Sequence, residues 1–195
     1  MTHFGIICPS AIGHLNPMCV LGRELQKRGH QVTLFGIPDV QTKVMRSGLD
    51  FWTIGESEFP KGTLDQKYQE LGKLSGFAGL NFTVRWIQQE AVMLFNEAPE
   101  ALKAAGIGAL LVDQISVGGT IADFLNLPFI TVCNALLINR EAGVPPYFSH
   151  WSYNKAGWAS LRNQLGNLLI ERLTQPLWDI HVQQRHVEFS ALLYP

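Results

Sequence analysis

The feature that most constrains the fold is an alternation. Short apolar runs recur at Phe4-Gly5-Ile6-Ile7-Cys8, Gln31-Val32-Thr33-Leu34-Phe35, Phe51-Trp52-Thr53-Ile54, Ala109-Leu110-Leu111-Val112-Asp113 and Leu127-Pro128-Phe129-Ile130-Thr131-Val132, with longer helix-like stretches between them. A run of four to six residues that is apolar throughout, rather than at every second position, suits a strand covered on both faces. Such strands joined by helical crossovers form a doubly wound parallel sheet, so the expected class is α/β and Rossmann-like, with five strands. At 195 residues the chain suits one domain, and with 47% apolar residues it has ample material for a core.

Punctuation places the helices. Asn16 as N-cap and Pro17 at the first helical position predict a helix over 17–28, with Met18, Leu21 and Leu25 on its apolar face and Gly29 as its stop. Pro38-Asp39 opens a second helix ending near Gly48. Residues 55–79 hold Gly55, Pro60, Gly62, Gly72, Gly76 and Gly79 and read as a mobile excursion. A long helix is expected over 80–96, a short one from Pro99 to Gly106, and another from Gly118-Gly119 to Leu125. Residues 155–193 read as helical with a break at Pro176, and Leu161, Leu165, Leu168, Leu169 and Leu173 recur there as an expected core-packing face.

Fifteen Lys and Arg stand against sixteen Asp and Glu, with no basic run, so nucleic acid is not an expected partner. Cys8, Cys19 and Cys133 match no zinc or redox spacing and lie in apolar stretches, which predicts reduced, buried thiols. His150, His181 and His186 lack metal-ligand spacing and are expected to be structural or surface residues. The N-terminus lacks a basic leader, and no apolar run approaches the ~18 residues of a membrane span, so a cytoplasmic protein is expected.

In an open parallel sheet ligands bind beyond the carboxyl ends of the strands where strand order reverses, and the common order sets the first and fourth strands side by side there. His14 follows the first strand, just before the expected helix start, and Asp113 ends the fourth. Separately, each has a plain alternative, a capping or surface histidine and an N-capping aspartate. Together at the switch point they form an imidazole oriented by a carboxylate, the arrangement of a general base. A dinucleotide fingerprint is absent, since the first loop offers only Gly13, and neither a P-loop lysine nor a G-x-S-x-G elbow occurs. A generic flavodoxin-like nucleotide domain fits poorly for the same want of a phosphate cradle.

Phe4-Gly5-Ile6-Ile7, Gly13-His14-Leu15-Asn16-Pro17, Gly22-Arg23-Glu24-Leu25 and Arg28-Gly29-His30-Gln31-Val32-Thr33, continuing through Leu111-Val112-Asp113 and Ala122-Asp123, resemble the N-terminal half of GT-B fold glycosyltransferases that use UDP-sugars. Val132-Cys133-Asn134-Ala135-Leu136 with Asn139-Arg140-Glu141 and Gly143-Val144-Pro145-Pro146 looks most like the bacterial branch of zeaxanthin, carotenoid and macrolide-type glucosyltransferases. The resemblance implies that residues 1–195 are an acceptor-binding N-terminal domain, incomplete at its C-terminus, with the C-terminal domain absent. It implies an inverting hexosyltransferase in which His14 deprotonates the acceptor hydroxyl, Asp113 holds His14, and Ile12 and Gly13 form the sugar-donor loop. It implies a UDP-sugar co-substrate, supplied through a missing C-terminal domain or a second polypeptide, and neither a metal nor another cofactor. The acceptor contacts it implies are Phe77, Phe82, Trp86, Asn134, Phe148 and Trp151, within segments 55–95 and 134–160 that also carry Phe59 and Trp158 and suit an apolar, hydroxyl-bearing molecule. A peripheral membrane contact without a transmembrane segment is compatible with such an acceptor. A half-site gives no donors to a leaving diphosphate, so the chain alone is expected not to catalyse. The alternative is a non-catalytic remnant of the same fold that binds an apolar ligand.

Overall fold

The computed structural model describes residues 1–135, 141, 143–146 and 149–193, apart from the side chains of 176–178 and 180–193. Five strands, β1 (His3–Ile7), β2 (Gln31–Gly36), β3 (Asp50–Thr53), β4 (Ala109–Asp113) and β5 (Phe129–Val132), form one parallel sheet in the order β3-β2-β1-β4-β5. Between and after them run α1 (Ile12–Lys27), α2 (Pro38–Arg46), α3 (Thr63–Leu71), α4 (Gly76–Ala104), α5 (Gly118–Phe124) and α6 (Gly157–Leu193). This is the expected α/β, doubly wound class.

The apolar runs are continuous because each sheet face is covered. Neighbouring residues of a strand point to opposite faces. Ile7 joins a core with Phe35, Ile37, Ala98, Leu102 and Ile121 under α4 and α5. Ile6 joins the other, with Leu15, Met18, Val32, Val44 and Leu111 under α1 and α2. Both isoleucines are fully buried, each contributing about 1.5–3 kcal/mol of transfer free energy.

Several boundaries differ from the sequence reading, each for a physical reason. α1 starts a turn earlier, with Ala11 as its N-cap and no side-chain cap, so Pro17 sits inside the helix. Pro17 donates no bond to the Gly13 carbonyl, and the first turn is closed instead by the His14 and Leu15 N–H groups on the Ala11 carbonyl, at 3.0 and 2.9 Å. The 55–79 segment contains α3, whose N-terminus is held by a remote side chain: Asp39 at the start of α2 accepts the N–H groups of Gly62 and Leu64, at 2.5 and 2.7 Å. Gly62 enters the helix at φ +96°, a left-handed conformation that glycine adopts at little cost. α4 is one helix through Pro99. Its last turns carry buried Ala98, Pro99, Ala101 and Leu102, and that packing outweighs a proline cost of about 3 kcal/mol. α6 is likewise continuous through position 176.

The leucine stripe of α6 is the largest departure. Leu161, Leu165, Leu168 and Leu169 are each at least half exposed and only Leu173 of the five is partly buried, so most of the expected core-packing face is not packed in this chain. At the sheet edge Ile130 of β5 is 63% exposed. Among the cysteines Cys19 is buried and Cys8 half-buried, whereas Cys133 is exposed, contrary to the expectation of three buried thiols.

Candidate active site

The strand order brings β1 and β4 together, with Ile7 beside Val112. Just beyond, His14 occupies the first turn of α1 rather than the loop before it, because the helix begins at Ile12. Ile12 and Gly13, expected in a loop, are therefore helical residues. Asp113 ends β4. His14 Nδ1 lies 2.7 Å from Asp113 Oδ2; the Asp113 side chain has no exposed surface and the His14 ring retains 18%.

Asp113 is fully engaged. Its Oδ2 also accepts the Asn134 amide at 2.8 Å, and its Oδ1 accepts the Ile115 N–H at 3.0 Å. The plain reading of Asp113 as the N-cap of α5 does not hold, since Val117 is the N-cap and the Gly118 N–H is taken by Ser116 Oγ at 3.0 Å. α5 instead approaches β4 closely through Gly118, where an added Cβ would lie 2.7 Å from Val112 Cγ1. With three donors on an ionised Asp113, hydrogen bonding assigns the His14 proton to Nδ1 and leaves the Nε2 lone pair open. That is the tautomer a general base needs.

Asn134 follows β5, which pairs with β4 so that Val132 lies beside Asp113. It was expected among the acceptor contacts, and in the structure its amide donates to Asp113. The pairing of β5 with β4 was the available signal, because it sets the residues after both strands at one place.

The expected acceptor residues separate into groups. Phe82 and Trp86 of α4 lie together, with ring centroids 6.4 Å apart, and Tyr68 of α3 meets Trp86 edge-on at 5.3 Å. Lys67 Nζ lies 5.5 Å from the Phe59 and Trp86 ring centroids and 5.9 Å from that of Phe82. Phe59 itself is core, and Phe77 is 70% exposed outside this cluster. Trp151 and Trp158 form a second group around the Arg162 guanidinium, at 4.8 and 5.3 Å. Phe148 lies outside the described residues. His150 is exposed, and the side chains of His181 and His186 are outside the described set.

A groove of about 550 Å³ between α3 and α4, bounded by Phe59, Lys67, Arg85 and Gln88 among others, includes neither His14 nor Asp113. Among the described residues no cluster of His, Cys, Asp or Glu could hold a metal ion, and no helix is long and apolar enough to cross a membrane.

This arrangement is the fold of an N-terminal half of a GT-B glycosyltransferase. The structure of the calicheamicin glycosyltransferase CalG4 superposes on 95% of this chain and 45% of its own, with a TM-score of 0.53 at 18% identity. The spinosyn rhamnosyltransferase SpnG matches 67% of this chain and 34% of its own, with a TM-score of 0.51 at 23% identity. In sequence, the chain is similar to the zeaxanthin glucosyltransferase of Pantoea ananas, 30% identical over 146 residues, and to that of Pseudescherichia vulneris, 27% identical over 177 residues. These alignments take in 74% and 90% of this chain but only 34% and 41% of the two relatives. A scan against protein-family models gives no match.

Proposed function

We propose that this chain is the acceptor-binding half of an inverting UDP-sugar glycosyltransferase that places a hexosyl group on the hydroxyl of an apolar small molecule. The observation that carries this reading is the His14–Asp113 pair, 2.7 Å apart at the ends of β1 and β4. His14 Nε2 takes the proton of the acceptor hydroxyl as its oxygen attacks the anomeric carbon. The bond from that carbon to the diphosphate breaks on the opposite face, and the nucleoside diphosphate leaves with the electron pair. The imidazolium so formed is stabilised by buried Asp113, an effect of about 10²–10⁴ in rate for a positioned base. Ile12 and Gly13, in a first turn with no side-chain cap, offer backbone N–H groups to the polar donor.

A carotenoid-like alcohol is the favoured acceptor, on the similarity to the two zeaxanthin glucosyltransferases. SsfS6 of Streptomyces sp. SF2575, which shares the fold at a TM-score of 0.50, is known complexed with thymidine diphosphate, and SpnG, also at 0.50, with spinosyn aglycone. The donor contacts and diphosphate stabilisation are assigned to a C-terminal half, in the same polypeptide or another.

The test is glycosyl transfer from UDP-glucose to a panel of apolar alcohols, with the chain alone and with the C-terminal half of a related enzyme. Transfer is expected only in the combination, and His14→Ala is expected to lower it at least ~10²-fold with acceptor binding retained. Transfer undiminished by His14→Ala overturns the assignment of the base. Acceptor binding without transfer in any combination favours the non-catalytic binding remnant.

A further inference from the structure

Glu90 is a second carboxyl on the same side of the sheet that the proton transfer does not use. α4 is level with the end of β3 at Glu97, whose Oε2 accepts the Gly55 N–H at 2.7 Å. Glu90 lies seven residues earlier on the same helix, about 10 Å further along the axis, beyond the carboxyl ends of the strands. Asp113 ends β4 at that same carboxyl edge of the sheet.

The surroundings of Glu90 are apolar and aromatic. Its Oε1 accepts the Trp86 indole N–H at 3.0 Å, and Trp86 is packed by Phe82 and Tyr68. Lys67 is within its field, yet the Lys67 ammonium donates to Gln89 Oε1 at 2.8 Å, and Glu90 is in no ion pair among the described residues. Oε2 has no hydrogen-bond partner among the described residues. No fully buried side-chain oxygen or nitrogen there lacks a partner, so Oε2 keeps some exposed surface. A carboxyl oxygen that keeps exposed surface within an aromatic wall is available to a ligand hydroxyl.

We propose that Glu90 is an acceptor-specificity residue: its Oε2 takes a hydrogen bond from a second hydroxyl on the acceptor, distinct from the one that reacts, on a ring held against Trp86. The substrate class is thereby narrowed to apolar ring compounds with two hydroxyl groups. This rests on the reading of the cleft as an acceptor site. Burial pushes the Glu90 carboxyl up to about 7, which suits a group that meets a neutral hydroxyl rather than a cation.

The experiment is calorimetric titration of the chain with 4,4′-dihydroxybiphenyl and with 4-hydroxybiphenyl, which differ only in the second hydroxyl. The diol is expected to bind about tenfold more tightly. Glu90→Leu is expected to bring the ratio close to one, and Glu90→Gln, which keeps an acceptor oxygen, to hold it above about threefold. Glu90→Leu removes a buried polar group, so it is expected to fold, and circular dichroism checks this. A wild-type ratio near one, or a ratio unchanged in Glu90→Leu, overturns the role of Glu90 and leaves the acceptor site standing. If neither alcohol binds, the proposal falls together with the acceptor site.

Discussion

At the residue scale the centre of the molecule is Asp113, a buried carboxylate with three donors. The amide of Asn134 gives it one of these, and a hydrogen bond to a charged group is worth about 1.5–3 kcal/mol. In the complemented enzyme, Asn134→Ala is expected to lower kcat about tenfold with KM nearly unchanged, and Asn134→Gln to restore part of the loss. A raised KM at constant kcat would return Asn134 to the acceptor-contact role its sequence position suggested. Glu90 has a different signature. Its folded value near 7 stands above the ordinary 4.5, so the native state disfavours its ionised form. Below about 4.5 the group is protonated in both states and has no effect; as pH rises towards 7 the unfolded chain ionises first and stability falls. Denaturant unfolding is expected to show Glu90→Gln gaining on the parent across that window, by on the order of 2–3 kcal/mol at its upper end. The groups around it are Trp86 on its own helix and Lys67 and Tyr68 on α3.

At the scale of the elements, the strands and most helix ends were legible because they follow from local chemistry. Gly29 and Gly48 stop α1 and α2 at φ +85° and +87°, as glycines past a helix end do. α3 was hidden because no local residue caps it and none of its residues is buried. Its support is Asp39, distant in sequence and adjacent in space. Asp39→Ala is therefore expected to cost about 1–2 kcal/mol and to speed amide hydrogen exchange across Thr63–Leu71 while the sheet stays protected. Pro99 misled for the opposite reason. It reads as a helix start, yet the core contacts of Ala98 and Leu102 carry α4 through it.

At the scale of the whole molecule, both faces of the sheet are covered, by α4 and α5 on one side and α1 and α2 on the other. The exposed leucines of α6 are accompanied by exposed Trp158 and Tyr153, side chains of the kind that mark interaction surfaces when they cluster. The chain alone is expected to self-associate at micromolar concentration. Leu165→Glu with Leu168→Glu is expected to shift sedimentation towards the monomer, at a stability change within about 0.5 kcal/mol because neither side chain is packed.

The sequence by itself determined the α/β class, the parallel sheet and the meeting of His14 with Asp113, since apolar period and strand alternation leave one economical topology and that topology has one switch point. Tertiary structure decided where α1 starts, that α3 exists, that Asn134 serves Asp113 and that Glu90 is set in an aromatic wall. Each of these depends on a contact between residues whose proximity no local pattern encodes. A side chain's hydrogen-bond partner and its burial are properties of the folded neighbourhood, and only the packed chain supplies them.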